Sequence, residues 1–273
     1  MVEQRVDSKE GSPISVKELV RSFQTPDGGT LDVLKDLTFE VDRGALVSLV
    51  GPSGCGKSTL LNLIAGIDAC TSGEIRIDAQ RVGEESNARA LGFVFQQPLL
   101  LNWRTVRRNV GLSLEETSLS KQEREARVKY YIELTGLGGY EDFYPHQISG
   151  GMQHRAALAR ALAIDPVILL MDEPFSGLDA MTAQRMREEL LRIWQETGKT
   201  ILFVTHDISE AVFLSQRVLI MSPKPAHIFA TVPIEAPYPR QLGDDHLFEK
   251  DKEIRRRFFS MESALGAQEK PSG

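Results

Sequence analysis

From Ile14 onward the chain switches between two hydrophobic periods. Leu37, Phe39 and Val41 recur at every second position, as in a half-buried strand. Ala45–Val50 is a short, largely apolar run between Gly44 and Gly51, which predicts a buried strand entering a glycine-rich loop. Lys57–Ala65 reads as a helix closed by Gly66. Ile75–Asp78 and Leu91–Phe95 predict further strands. Ser120 opens a capping box with Glu123, ahead of Val128, Tyr131 and Ile132 at helical spacing; Gly136, Gly138 and Gly139 end that helix. Val167–Met171, Ile201–Thr205 and Val218–Met221 are three more apolar runs. Between them lie a helix with Met186, Leu190, Ile193 and Trp194 on its inner face and a helix capped by Asp207. Such alternation predicts an α/β fold with helices on a mostly parallel sheet. Residues from about 100 to 165 interrupt it with a helical, polar-faced stretch.

Composition narrows the partners. The chain has 273 residues, 41% hydrophobic and 26% charged, enough for a core of full size. Lys plus Arg number 32 against 38 Asp plus Glu, a net charge of −6 with no basic run, so no nucleic-acid partner is expected. Cys55 and Cys70 give neither metal-site spacing nor a disulfide framework, and suit a reducing compartment. The most apolar stretch, Ala156–Met171, contains Arg160, Asp165 and Pro166 and is too short and too polar to cross a membrane. Residues 1–13 are polar, lack a secretory core and read as a flexible leader. The main domain is expected over residues 14–235. Pro223, Pro225, Pro233, Pro237 and Pro239 mark a shift in composition, and residues 236–273 read as a charged, weakly amphipathic tail.

Gly51-Pro-Ser-Gly-Cys-Gly-Lys57-Ser58 matches the phosphate-loop pattern G-x-x-x-x-G-K-[ST]. Glycines let successive backbone N–H groups turn toward phosphate oxygens, and the following helix aims its positive end at the same anion. Lys57 supplies a charge to the β- and γ-phosphates, and Ser58 a hydroxyl to Mg²⁺. The candidate nucleotide residues here are Gly51, Pro52, Ser53, Gly54, Cys55, Gly56, Lys57, Ser58 and Thr59. Cys55 is read as a small residue lending its backbone N–H, whose alkylation should block nucleotide. An apolar strand ending in Asp172-Glu173 provides a second element: Asp172 would bind Mg²⁺ through water, and Glu173 would orient and deprotonate the attacking water.

Ile148-Ser149-Gly150-Gly151-Met152-Gln153, followed by an alanine- and leucine-rich helix, resembles the signature motif of ABC transporter ATPases. The order along the chain is similar too: phosphate loop, glutamine loop at Gln96, signature, Asp172–Glu173, a D-loop over Ser176–Asp179, and a switch histidine at His206. The resemblance spans roughly Ile14 to Val232. It implies a P-loop NTPase with a RecA-like, mostly parallel sheet core, a small antiparallel β edge and an inserted helical subdomain over about 97–165. It assigns Gln96 to sensing Mg²⁺ and water, with Gln97 the alternative, and His206 to the γ-phosphate and the water. Phe23 takes the place of the adenine-stacking aromatic, with packing in the β edge equally open. Ser149, Gly150, Gly151 and Asp179 are implied to act on ATP held by a second, head-to-tail ATPase subunit, either another copy or a homologue. Ile148 replaces the usual Leu, Met152 the frequent Gln, and Asn102 a Pro common in the nearest subgroup.

The same resemblance implies transmembrane permease subunits, an indirect link to a solute-binding protein, and a peripheral place on the cytoplasmic face of the inner membrane. Leu99, Leu100 and Trp103 are either core or the edge of a permease-docking groove. Phe93–Val106 most resembles importers of the nitrate, sulfonate and taurine group; an exporter or lipid-transport ATPase is the alternative. A P-loop kinase or GTPase would leave the signature and His206 without a role, and no Asn-Lys-x-Asp guanine motif occurs.

Overall fold

The computed structural model describes residues 12–83, 91–241 and 243–268; most of the expected leader, residues 1–11, lies outside them. Along the chain, β1 (Ile14–Gln24) and β2 (Thr30–Val41) form a hairpin, and β3 (Leu46–Val50) leads through a loop into α1 (Lys57–Ile64). β4 (Ser72–Ile77), β5 (Gln80–Arg81) and β6 (Leu91–Val94) follow. Three helices then come in succession: α2 (Val106–Gly111), α3 (Lys121–Leu134) and α4 (Gly150–Ala163). Alternation resumes with β7 (Ile168–Asp172), α5 (Ala180–Thr197), β8 (Thr200–Val204), α6 (Ile208–Leu214) and β9 (Arg217–Met221). β10 (Ile228–Pro233) and α7 (Asp245–Gln268) complete the described chain.

The apolar runs become the centre of a six-stranded sheet ordered β10-β9-β3-β8-β7-β6. Every pairing is parallel except β10 with β9. β2-β1-β4-β5 form the separate antiparallel sheet. β3 and β8 are buried at every position because both faces of the large sheet are covered. Their side chains alternate between two cores. Leu46, Val50, Ile201 and Phe203 face the helical side with α4 and α5, whereas Val47, Leu49, Leu202 and Val204 face α1 and the antiparallel sheet.

Strand order matters because parallel strands gather their following loops at one edge. β3, β8, β7 and β6 are consecutive neighbours, so the segments beginning at Gly51, Thr205, Glu173 and Phe95 emerge side by side.

The segment after residue 235 is tied to the sheet rather than detached from it. Arg240 is buried and donates to the carbonyls of Val212, Phe213, Ser215, Ile234 and Ala236. Leu247, Ile254 and Met261 of α7, seven residues apart, pack into the helical-side core. Among the described residues no helix is long and apolar enough to cross a membrane.

Candidate nucleotide site

The loop between β3 and α1 needs glycine for steric reasons. Gly56 has a φ of 120°, and a Cβ there would lie 2.9 Å from both Val33 Cγ1 and Leu34 Cδ2. Lys57 folds its ammonium back over the loop, donating to the carbonyls of Gly51 (2.8 Å) and Pro52 (2.9 Å). These two bonds hold the charge in place before any phosphate arrives. The Cys55 N–H donates to the Pro52 carbonyl at 3.3 Å, and its side chain is only 2% exposed. Burial pushes the Cys55 thiol up and leaves it little open to a reagent, so an alkylating probe should reach it slowly in the folded chain.

A cleft of about 410 Å³ opens over this loop, lined by Ser53, Gly54, Gly56, Lys57, Ser58, Thr59 and Glu173, with Phe23 and Lys224 at the same opening. Phe23 is half-exposed, and the Arg21 guanidinium lies 4.2 Å from its ring centroid. Its position allows it to stack on a base.

Asp172 ends β7 beside Ser58. Burial pushes its carboxyl up, while a hydrogen bond from the Ser58 hydroxyl pulls it down. Its Oδ1 is buried, and no group among the described residues hydrogen-bonds to it. An orphaned carboxylate oxygen beside a serine hydroxyl is an oxygen donor set that fits a hard divalent cation such as Mg²⁺.

Glu173 follows in a left-handed backbone conformation, φ 44°, fixed by its N–H to the Val204 carbonyl at 2.9 Å. Its Oε2 lies 3.1 Å from His206 Nδ1. With the proton on Nδ1, the imidazole donates to the carboxylate and orients it. Gln96, just past β6, donates from Nε2 to Ser176 Oγ at 3.3 Å. The fold thus gathers the phosphate loop, Asp172, Glu173, His206 and Gln96 at one edge.

Within a single chain the signature stays apart from this group. Ser149 caps α4, its hydroxyl accepting the Met152 N–H at 3.3 Å. A Cβ on Gly151 would lie 2.6 Å from Thr182 Cγ2, so this glycine lets α4 pack closely against the start of α5. Asp179 caps α5 through the Thr182 N–H at 3.0 Å. Ser149, Gly150, Gly151 and Asp179 do not line the cleft.

Four residues matter that sequence reasoning passed over. Lys224 reaches the cleft from the proline-rich segment. His154 sits between two carbonyls, with Nδ1 2.9 Å from Gly150 O and Nε2 3.3 Å from Gln96 O, linking the signature helix to the glutamine loop. Arg160 donates to the carbonyls of Pro98 and Leu99, both at 2.8 Å. Asn109 is buried, accepts the Leu101 N–H and donates to the carbonyls of Leu101, Arg104 and Thr105. Together Arg160 and Asn109 pin the segment 98–105. Leu100 packs partly into the core, but Leu99 is 54% exposed and Trp103 73%.

A phosphate loop after one parallel strand, with a half-buried Asp and a Glu–His pair at the ends of its neighbours, defines a P-loop nucleoside triphosphatase. The family profile described as ABC transporter matches residues 34–176. The chain is 43% identical over 245 residues to an aliphatic sulfonates import ATP-binding protein SsuB of Bacillus cereus, covering 90% of this chain and 95% of that one. It is 40% identical over 215 residues to the taurine import ATP-binding protein TauB of Roseobacter denitrificans, covering 79% and 80%. The dimeric post-hydrolysis structure of the ATP-binding cassette MJ0796, bound to ADP and Pi, superposes with a TM-score of 0.72 at 31% identity, over 82% of this chain and all of that one. The chain belongs to the ABC transporter family as an ATP-binding cassette, and its enzymatic activity is ATP hydrolysis.

Proposed function

We propose that this chain energises an importer of a small anion of the sulfonate, taurine or nitrate type, acting at the cytoplasmic face of the membrane. The observation that carries the reading is the pinned 98–105 segment. It holds Leu99 and Trp103 exposed a few residues beyond Gln96, which supports a short segment that links a docked partner to the glutamine loop. Two copies pack head to tail, each offering Ser149–Gly151 and Asp179 to ATP on the other's phosphate loop. Permease subunits dock on Leu99 and Trp103, and a solute-binding protein delivers the anion on the far side.

At each site Gly51–Thr59 cradles the phosphates, Lys57 exchanges its loop carbonyls for β- and γ-phosphate oxygens, and Phe23 stacks on the base. Ser58, Asp172 and Gln96 would hold Mg²⁺, which when bound neutralises charge on the β- and γ-phosphates. Glu173, oriented by His206, takes the proton of the water that attacks the γ-phosphorus as the bond to the β-bridging oxygen breaks. Removing this base should lower turnover by roughly 10²–10⁴-fold. The test is Glu173→Gln in the complex purified from membranes with its permease and reconstituted in vesicles. ATP should still bind, a nucleotide-bound dimer should accumulate, and ATP-driven uptake of labelled sulfonate, taurine or nitrate should stop. Normal turnover and uptake by the Gln variant would overturn the assignment.

A further inference from the structure

Away from the cleft, two helices that begin at functional loops are joined by an ion pair between a half-buried arginine and a buried glutamate. α5 starts at Asp179 of the D-loop, and two turns in it carries Arg187. α6 starts directly after His206 and carries Glu210 in its first turn. Arg187 Nη1 lies 3.7 Å from Glu210 Oε1, and Glu210 is 6% exposed. The network is incompletely satisfied. Among the described residues, Arg187 Nε and Gln184 Oε1, one turn apart on α5, are buried with no hydrogen-bond partner. A buried ion pair of this kind is seldom the most stable way to fill a helix interface, since apolar side chains of similar volume often do as well.

We infer that Glu210 is a positioning residue: by pairing with Arg187 it holds α6 in register against α5, and so sets the distance between His206 and the D-loop. Neither side chain is assigned contact with nucleotide. The inference rests on the roles given above to Glu173 and His206. The ionised carboxylate is the form that acts. Burial pushes the Glu210 carboxyl up to about 7, against the Thr205 hydroxyl and Arg187, which favour the charged form. Asp207 on its own helix opposes ionisation, and His206 favours it. From α7, Asp251 and Arg255 reach Ser209, the neighbour of Glu210. Protonation near neutral pH removes the charge that Arg187 faces, so the coupling should be present above pH 7 and fade below it.

The experiment measures kcat, KM and ATP affinity of the purified complex from pH 5.5 to 9 for wild type, Glu210→Gln, Glu173→Gln and the double variant Arg187→Met/Glu210→Met. For Glu210→Gln, ATP affinity should stay within about 2-fold, since the phosphate loop is untouched. Its kcat should fall about 10-fold at pH 8, and the acidic limb of kcat seen in wild type should vanish. The double variant removes both charges together and keeps the interface filled, so it reports if the single variant fails to fold. It should be folded and equally slow. Wild-type kcat at pH 8 in either folded variant, or an unshifted acidic limb in Glu210→Gln, would show the pair to be packing alone. If turnover does not depend on Glu173, the reading of the catalytic base fails instead. If turnover depends on Glu173 but not on Glu210, only this inference falls.

Discussion

Glu173 sits where the backbone turns left-handed, a conformation that costs a residue with a Cβ on the order of 1–3 kcal/mol. The cost is tolerated because β7 and β8 fix the chain on both sides, with the Glu173 N–H held by Val204. It aims the carboxylate at His206 instead of letting it follow the strand. Glu173→Gly should therefore abolish turnover yet raise stability by about 1 kcal/mol over Glu173→Gln, which keeps the same backbone strain. Urea denaturation of the two inactive variants compares them directly; equal midpoints would mean that the turn is unstrained. At this scale the sequence was most informative where chemistry is local. Lys57 and Ser58 follow their glycines within one loop, and Asp172 ends a strand visible as an apolar run. Lys224 and His154 were not legible, because the approach of Lys224 to the cleft and of His154 to Gln96 joins segments far apart in the chain, and neither carries a motif of its own.

Helices and strands were legible where one face is uniformly apolar. Met186, Leu190, Ile193 and Trp194 are all buried on α5, and the Ser120–Glu123 capping box opens α3. α7 was less so. Its seven-residue apolar repeat is diluted by charges, and only the fold supplies the core that Leu247, Ile254 and Met261 enter. The α5–α6 contact makes a thermodynamic prediction separate from turnover. The Glu210 carboxyl is raised from 4.5 to about 7, so between those values the folded chain keeps a proton that the unfolded chain releases. Stability from this group is therefore highest at low pH and is lost as pH rises through the window, by roughly 3 kcal/mol. Subtracting the pH–stability curve of Glu210→Gln from that of wild type should leave this fall. A flat difference would place Glu210 in contact with water. The form proposed to be active is thus the one that weakens the fold, a trade common at functional sites.

On the scale of the molecule, the helical insertion rests on one face of the sheet, and its α4 carries the signature at one end and Arg160 toward the other. One helix therefore spans from the end proposed to meet a second copy to the segment proposed to meet the permease. Sequence alone left Trp103 open between core and surface, since an aromatic in a short apolar stretch suits either. Its exposure decides for the surface. Trp103→Ala should leave the melting temperature within about 2 °C, as expected for an exposed site in a chain of this size. Loss of an interface anchor worth about 2 kcal/mol would weaken permease assembly roughly 30-fold. Co-purification from detergent-solubilised membranes measures the second effect; a large drop in melting temperature would return Trp103 to the core.

The two thiols lie in unlike surroundings. Cys55 is sealed behind the phosphate loop, whereas Cys70 is partly open beside the start of β4, 3.9 Å from the Gly73 carbonyl. A maleimide dye applied to the folded chain should thus mark Cys70 alone, with no cysteine replaced. The label sits at the rim of the antiparallel sheet, and the phosphate loop keeps its native sequence. A natural single-site reporter of that kind would let the proposed closure of two copies over ATP be followed by fluorescence in real time, on an unmutated chain.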